Sequence, residues 1–373
     1  MGASTRQGSS RSAFVRLSPL SLAALVLAVL GGAVLAAEKP KAAADKTPVR
    51  TVWPPPPDEP RIRYLSVISG AKDVGAARKA KTASLKEVLL GKAGTGGATR
   101  NPNTFVKPFG VAVDGFGRFI VSDTALAAVF VLDAERRTFT AIGEHTKQAP
   151  FRVPVGLAVD AANDIYVGDS GLAQILVFGP DLALKRTIGR QAELVAPSGL
   201  AVDDSRGRLY VVDARRHALI VYELATGRLL RTVGKRGAGP GEFNFPTAVA
   251  VGPDGRVYVS DTMNYRVQVL SADLDFVSSF GSLGVRPGQF RRPKGIAVDA
   301  DNVVYVVDSD FNNFQMFTAE GETLMWVGEL GERPGQMQLP AGIAVDRLRR
   351  RIVVTEQVNR RLQQFERIAS SSR

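Results

Sequence analysis

Six copies of one short motif constrain this chain more than any other feature of its sequence. The copies are PFGVAVD from Pro108, PVGLAVD from Pro154, PSGLAVD from Pro197, PTAVAVG from Pro246, PKGIAVD from Pro293 and PAGIAVD from Pro340. Successive copies start 43 to 49 residues apart. A fixed period in this range indicates a solenoid or a propeller.

Each repeat contains four short apolar runs rich in Val, Ile, Tyr and Phe, and Gly, Asp, Asn or Pro separates them. Such runs are typical of strands joined by tight turns. Four short antiparallel strands form one propeller blade. The first two runs of each repeat are apolar on both faces, as expected for a sheet packed between two neighbouring sheets. The sequence therefore predicts an all-β fold, a six-bladed β-propeller over residues 107–368.

The last repeat, LPAGIAVDRLRRRIVVTEQVNRRLQQFERI, has three strands instead of four. The missing strand has a counterpart near the N-terminus, because RIRYLSVISGA at 61–71 resembles LDFVSSFGSLG at 274–284. We expect residues 61–70 to form the outer strand of the sixth blade. This pairing would close the ring and leave only short, protected strand edges.

Residues 1–36 have the three regions of a secretory signal peptide: Arg6, Arg11 and Arg16, then an apolar run, then small residues before a cleavage point after Ala36. An uncleaved signal anchor is the alternative, because the apolar run is just long enough to cross a bilayer. Either way we expect the rest of the chain to be exported, to the periplasm or the extracellular space. Contact with a membrane is expected only if the segment stays uncleaved.

Three other segments fall outside the repeats. Residues 37–60 are rich in Pro, Lys and Ala, and we expect a linker with a polyproline II spacer at Pro54–Pro57. Residues 71–106 contain the amphipathic stretch TASLKEVLLGKAG, which predicts a helical insertion that caps the propeller. Residues 369–373 are expected to be a disordered tail.

Composition excludes several kinds of chemistry. The chain has no cysteine, so disulfides, thiolate nucleophiles and Cys-ligated metals are excluded. It has only two histidines, His145 and His217, so one chain cannot form a three-His metal site. The formal net charge is +12, which favours anionic partners.

The repeats resemble the NHL-repeat family, most closely in DTMNYRVQVLSADLDFVSSFG at 261–281. This resemblance implies a six-bladed propeller but not one activity, because propellers serve as scaffolds, receptors, lyases and lactonases. The first two repeats depart from the pattern, since ALAAVFVL and GLAQILVF lack its Asn and Arg. The zinc lyases of similar fold use three axial histidines, which this chain cannot supply.

Acidic residues recur at the end of the second strand: Asp123, Asp169, Asp213, Asp261, Asp308 and Glu356. We expect them to hold their own turns or to pair with a third-strand arginine such as Arg266 or Arg361. No cofactor is expected on this interpretation. The alternative is a calcium-dependent hydrolase or lyase, with Asp213, Asp261, Asp308 and Glu356 binding the ion at the channel mouth.

Antiparallel strand order places the loops before each first strand and after each second strand on one face. On that face the third to fifth repeats offer basic and aromatic residues: Arg215, Arg216, His217, Arg236, Tyr265, Arg291, Arg292, Lys294, Phe311 and Asn312. Such a surface suits an acidic protein segment or another anionic ligand. We expect a monomeric, non-catalytic binding scaffold, and export argues against nucleic acid as the partner.

Overall fold

The computed structural model describes residues 51–55, 57–76, 103–142, 151–189 and 192–368. The signal segment 1–36, most of the linker, the helix predicted within 71–106 and the tail 369–373 lie outside these residues. Val49–Arg373 forms one compact unit. In the described ranges no helix has the length and apolarity needed to cross a membrane.

The described chain forms six sheets, each a blade of antiparallel strands, which confirms the predicted propeller. Two strands come before the repeats, β1 (Val52–Trp53) and β2 (Ile62–Ile68), followed by a 3-10 helix at Ala71–Val74. Blade 1 contains β3 (Pro108–Val113), β4 (Phe119–Asp123), β5 (Ala128–Asp133) and β6 (Thr138–Ala141); blade 2 contains β7 (Pro154–Val159), β8 (Ile165–Asp169), β9 (Gln174–Phe178) and β10 (Leu184–Ile188); blade 3 contains β11 (Pro197–Asp203), β12 (Arg208–Asp213), β13 (Ala218–Glu223) and β14 (Leu229–Val233).

The remaining blades repeat this order. Blade 4 contains β15 (Ala248–Val251), β16 (Val257–Asp261), a 3-10 helix at Thr262–Asn264, β17 (Arg266–Leu270) and β18 (Phe276–Phe280); blade 5 contains β19 (Pro293–Val298), β20 (Val304–Asp308), β21 (Asn313–Phe317) and β22 (Thr323–Val327); blade 6 contains β23 (Pro340–Asp346), β24 (Arg351–Glu356) and β25 (Arg361–Arg367), with β2 and β1 outside them.

The pairing register defines two faces of the ring. In blade 1, Pro108 at the start of β3 lies opposite Asp123 at the end of β4. First strands therefore begin, and second strands end, on the same face, which we call the upper face. The opposite face, where first strands end, is the lower face.

The ring is closed by the N-terminal strand, as predicted. Strand β2 pairs antiparallel with β25, with Ile68 opposite Leu362 and Ile62 opposite Arg367. Strand β1, from the stretch predicted as a linker, adds a fifth strand outside β2. Its Trp53 ring packs edge-on against Phe365 with centroids 5.8 Å apart, so the outer edge of blade 6 is also covered.

The first strands line the central axis, and their Pro-x-Gly start is explained by crowding there. A Cβ added at Gly199 would lie 2.5 Å from the Cα of Ala248 in the next blade. One added at Gly342 would lie 2.4 Å from the carbonyl oxygen of Phe109. Neither distance is compatible with a side chain, so neighbouring strands can approach this closely only at glycine.

The core consists of apolar layers between adjacent blades rather than one central cluster. Second and third strands are buried along nearly their whole length; β4, β8, β16 and β20, for example, are buried at every position. Hydroxyl groups link blades near the axis: Ser122 Oγ donates to the Val155 carbonyl at 2.8 Å, and Thr355 Oγ1 donates to the Phe109 carbonyl at 2.6 Å. These layers hold the upper loops in fixed relative positions.

Candidate binding face and axial channel

The carboxylates at the ends of the second strands are buried and hydrogen-bonded within their own blades. In blade 2, Asp169 accepts bonds from the backbone amides of Arg152, Val153, Gly171 and Leu172 at 2.7 to 3.0 Å. The carboxylate thereby joins the loop before the first strand to the turn after the second. Asp123, Asp213 and Asp308 act in the same way.

Blades 4 and 6 add side-chain donors to this arrangement. Asp261 accepts from Arg266 Nε at 2.9 Å, and Glu356 accepts from Arg361 Nε at 2.7 Å. Each guanidinium also donates to two backbone carbonyls of the loop that precedes its blade. These are the carboxylate–arginine pairs that the sequence predicts.

The proposed calcium ligands are all engaged by donors of their own blades. The side chains of Asp213, Asp261, Asp308 and Glu356 are fully buried, and their oxygens face donors of their own blades. Within the described ranges no group of three or more His, Asp and Glu residues is placed to hold a metal ion. The arrangement favours the structural role of these carboxylates.

The predicted basic residues lie on the upper face, in loops of blades 3 to 5. Arg215 and Arg216 follow β12, Arg236 lies between β14 and β15, and Arg291 and Arg292 precede β19; all five are exposed. Among the described groups, Lys235 Nζ lies 3.3 Å from Glu242 and Arg292 lies 3.8 Å from Asp310. Positive charge therefore predominates among the described groups here.

Four predicted residues have packing roles on this face. His217 and Asn312 adopt left-handed backbone conformations, and each accepts a hydrogen bond from the next loop: His217 Nδ1 from the Phe245 amide at 3.0 Å, and Asn312 Oδ1 from the Leu339 amide at 2.9 Å. Tyr265 and Phe311 are half-buried, and Tyr265 packs on the core between blades 4 and 5. These residues position loops more than they offer free groups.

Sequence reasoning missed a network that fixes three of the upper loops. The loops entering blades 4, 5 and 6 share Gly-x-x-Pro-Gly-x followed by Phe or Met, in GAGPGEFNFP at 237–246, GVRPGQFRRP at 284–293 and GERPGQMQLP at 331–340. In each, one third-strand glutamine accepts from a loop glycine amide at 2.8 to 2.9 Å; they are Gln268, Gln315 and Gln363. The recurrence of these loops was the signal available in the sequence.

The axial channel opens on the upper face through a ring of six residues, one at the start of each first strand or, in blade 4, directly before it. They are the residues after each motif proline: Phe109, Val155, Ser198, Thr247, Lys294 and Ala341. Lys294 is half-buried, and its Nζ lies 5.5 Å from the centre of the Phe109 ring. Burial, reinforced by the nearby Arg292, lowers the pKa of Lys294 to about 8.

The fold and this face together define a six-bladed β-propeller. Solved structures of other propellers agree: the gluconolactonase from Xanthomonas campestris superposes with a TM-score of 0.56 at 17% identity, covering 71% of this chain and 87% of that chain. A likeness at this level of identity shows the fold alone.

Two of the repeats also match a known repeat family. The NHL repeat model matches residues 194–222 and 243–270, in blades 3 and 4. A bovine NHL repeat-containing protein 2 is 30% identical over 102 residues, 25% of this chain, and a rat peptidylglycine alpha-amidating monooxygenase is 26% identical over 179 residues, 46% of this chain. The chain spans 14% of the length of each of these relatives. The chain is thus a six-bladed propeller whose third and fourth blades match the NHL repeat.

Proposed function

We propose that the protein is an exported, non-catalytic binding module that holds an acidic protein segment or another anionic ligand on its upper face. The observation that carries this proposal is the group of exposed arginines on loops fixed by hydrogen bonds: Arg215, Arg216, Arg236, Arg291 and Arg292. Because the loops of such a surface are already ordered, binding costs little conformational entropy, and the positive charge attracts anionic partners from a distance.

The loops that carry these arginines are anchored from both sides. Arg291 and Arg292 donate their backbone amides to Asp308, while Gln315 of the same blade binds the Gly288 amide earlier in the loop. Their side chains nevertheless remain exposed. The backbone is therefore held in place while the guanidinium groups remain available to a ligand.

Charge reversal tests this surface. We expect Arg291→Glu with Arg292→Glu to weaken binding of a fluorescein-labelled Glu-rich peptide by about tenfold or more, because attraction becomes repulsion. The matched control is Arg136→Glu with Arg137→Glu, two adjacent exposed arginines at the turn before β6 on the lower face. Fluorescence anisotropy measures both. An equal loss in both variants would mean that only net charge matters, and the upper face would not be the site.

Export rests on the composition of residues 1–36 and has its own test. The expected product in the extracytoplasmic fraction begins at Ala37, which N-terminal mass spectrometry detects. A chain that retains residues 1–36 and sediments with membranes would instead identify the signal anchor.

A calcium-dependent hydrolase or lyase is the second candidate function, and the gluconolactonase likeness is a likeness of fold. The buried, internally bonded carboxylates give it less support than the binding module. A thermal shift produced by calcium on the order of 1 mM, and abolished by Asp213→Asn, would favour the metal enzyme over the scaffold.

A further inference from the structure

Lys294 differs from the other residues at the channel mouth. The other five members of the ring are uncharged: Phe109, Val155, Ser198, Thr247 and Ala341. Lys294 belongs to blade 5 and Phe109 to blade 1, and blade 6 stands between them. The Lys294 ammonium nevertheless reaches over the Phe109 ring. The mouth therefore carries one cation in an otherwise neutral ring.

Among the described residues, no carboxylate forms an ion pair with this cation. Within the described residues Lys294 Nζ forms no ion pair and donates no hydrogen bond; the charges that act on it are those of Arg292, Asp310 and Lys107, of which only Asp310 is acidic. The acid nearby, Asp310, lies 3.8 Å from Arg292. Since the pKa in the folded chain lies below that of a free lysine, the charged form lowers stability at neutral pH, and this cost is relieved only as pH rises from about 8 past the free-lysine pKa. Because this loss of folding stability occurs at only one of the six equivalent positions, we take it as a sign that Lys294 serves binding rather than folding.

The channel below the mouth is apolar. One aliphatic side chain from each blade forms its next layer: Val111, Leu157, Leu200, Val249, Ile296 and Ile343. These residues, the mouth ring and the small residues between them line a cavity of about 70 Å³ that is open to solvent. At the lower end Arg347 donates to the carbonyls of Val298 and Val251, which places a second cation at the far opening. The walls thus suit an apolar group. The lysine stands at the upper end, whereas Arg347 at the lower end is accompanied by Asp114, Asp204 and Asp346.

We propose that the mouth of the axial channel binds a carboxylate carried on an apolar stem, with Lys294 as its ionic partner and the aliphatic layer around the stem. This deepens the function proposed above, because it names the chemical group taken at the centre of the upper face. The stem belongs either to the C-terminal residue of a peptide or to a free branched acid.

A singly charged carboxylate fits these surroundings better than a phosphate. Phosphate sites provide several donors, through arginine forks or clustered backbone amides. Here one ammonium stands beside an aromatic ring, and nearby first-strand donors are already engaged: the Gly110 amide donates to Ser122 Oγ at 2.8 Å and the Gly342 amide to Thr355 Oγ1 at 2.8 Å. One charge and one apolar stem are what the mouth can satisfy.

Chemical footprinting of Lys294 tests the site. Reductive methylation at pH 8, read by mass spectrometry, is measured with three probes: acetyl-Ala-Ala-Leu with a free carboxylate, the same peptide as its C-terminal amide, and isovalerate. We expect Lys294 to be protected by one or both carboxylates and not by the amide, while Lys235 on the same face stays reactive. Protection by the peptide carboxylate identifies a peptide terminus, and protection by isovalerate alone identifies a free acid. Equal protection by the amide, or no protection by either carboxylate, would refute the proposal.

Calorimetry of variants provides the second readout. We expect Lys294→Met to reduce affinity for the protecting carboxylate by about tenfold or more, whereas the matched Lys235→Met leaves it unchanged. Because Lys294→Met removes an unpaired charge, its melting temperature should not fall, so lost binding would not reflect unfolding. Unchanged affinity in Lys294→Met would overturn the proposal. The variant Arg291→Glu with Arg292→Glu distinguishes the two proposals. If it still binds the Glu-rich peptide with unchanged affinity while Lys294→Met no longer binds the carboxylate, the proposal for the outer arginines is wrong and the channel site is supported.

Discussion

Blades 4 to 6 differ from blades 1 to 3 in the kind of side chain that fills one buried position of the third strand. Seven residues after the second-strand carboxylate, blades 4 to 6 have Gln268, Gln315 and Gln363, whereas blades 1 to 3 have Phe130, Leu176 and Ile220. All six side chains are buried. In one half of the ring this position hydrogen-bonds to an upper loop, and in the other half it packs against apolar neighbours such as Phe105 and Phe139.

This difference shows that the repeated fold does not require a repeated loop. Apolar packing at this position places no constraint on the backbone groups of a loop, so loops of different lengths are compatible with it. A glutamine fixes both an amide and a carbonyl; Gln315, for example, bonds to Gly288 and Gln289. The Gly-x-x-Pro-Gly loops and their glutamines therefore occur together. One of these loops contains Arg291 and Arg292 of the proposed binding face, and Arg236 directly precedes another.

The largest effect on the free energy of unfolding is expected in the blades where the second-strand carboxylate binds an arginine as well as backbone amides. Glu356→Gln leaves the Arg361 guanidinium, whose side chain is 13% exposed, without its carboxylate, and we expect a loss of about 3–5 kcal/mol in the free energy of unfolding. The corresponding Asp169→Asn in blade 2 disturbs backbone amide bonds only, and should cost about 2 kcal/mol. Urea denaturation measures both. Equal losses would show that the arginine networks add nothing to the amide bonds.

An intermediate effect is expected for the glutamines. Gln315→Leu imports the apolar chemistry of blades 1 to 3 into blade 5 and leaves the Gly288 amide and the Gln289 carbonyl without this partner, at a cost of about 2 kcal/mol. Hydrogen exchange at residues 281–293 should accelerate. Ile220→Leu is the control, expected to cost less than about 1.5 kcal/mol. If the exchange of residues 281–293 is unchanged, the glutamine is not what holds the loop.

The smallest effect is a gain. In blade 5, Asn313 occupies the position of Arg266 and Arg361, and its buried Oδ1 has no hydrogen-bond partner in the described structure. Asn313→Arg would place a guanidinium beside Asp308 and the loop carbonyls, as in blades 4 and 6, and should raise the free energy of unfolding by about 1 kcal/mol. Arg266→Asn, the reverse change in blade 4, should lower it. A loss in both variants would mean that blade 5 has repacked around its asparagine.

Sequence reasoning predicted the features that depend on neighbouring residues. Strand and turn chemistry recurs within each repeat, so the six blades, the closing strand and the pairing of Arg266 and Arg361 with their own second-strand carboxylates could be derived. The cation–aromatic contact between Lys294 and Phe109 could not, because only the curvature of the closed ring brings blades 5 and 1 to the same opening. Strand β1 was also beyond prediction, since two residues are too few to show a period.

The pairing of β2 with β25 also determines when the molecule can finish folding. Strand β2 is made among the first of the described residues, but its partner, which contains Leu362, is among the last. Ile62 and Ile68 of β2 are buried in the folded chain. During synthesis they therefore remain without their partner strand until almost every other blade has been made. Contacts so distant in sequence form late and slowly. The ring can therefore close only after β25 has been made. A chain interrupted before β25 leaves two blade-6 strands, β24 and β2, without their common neighbour.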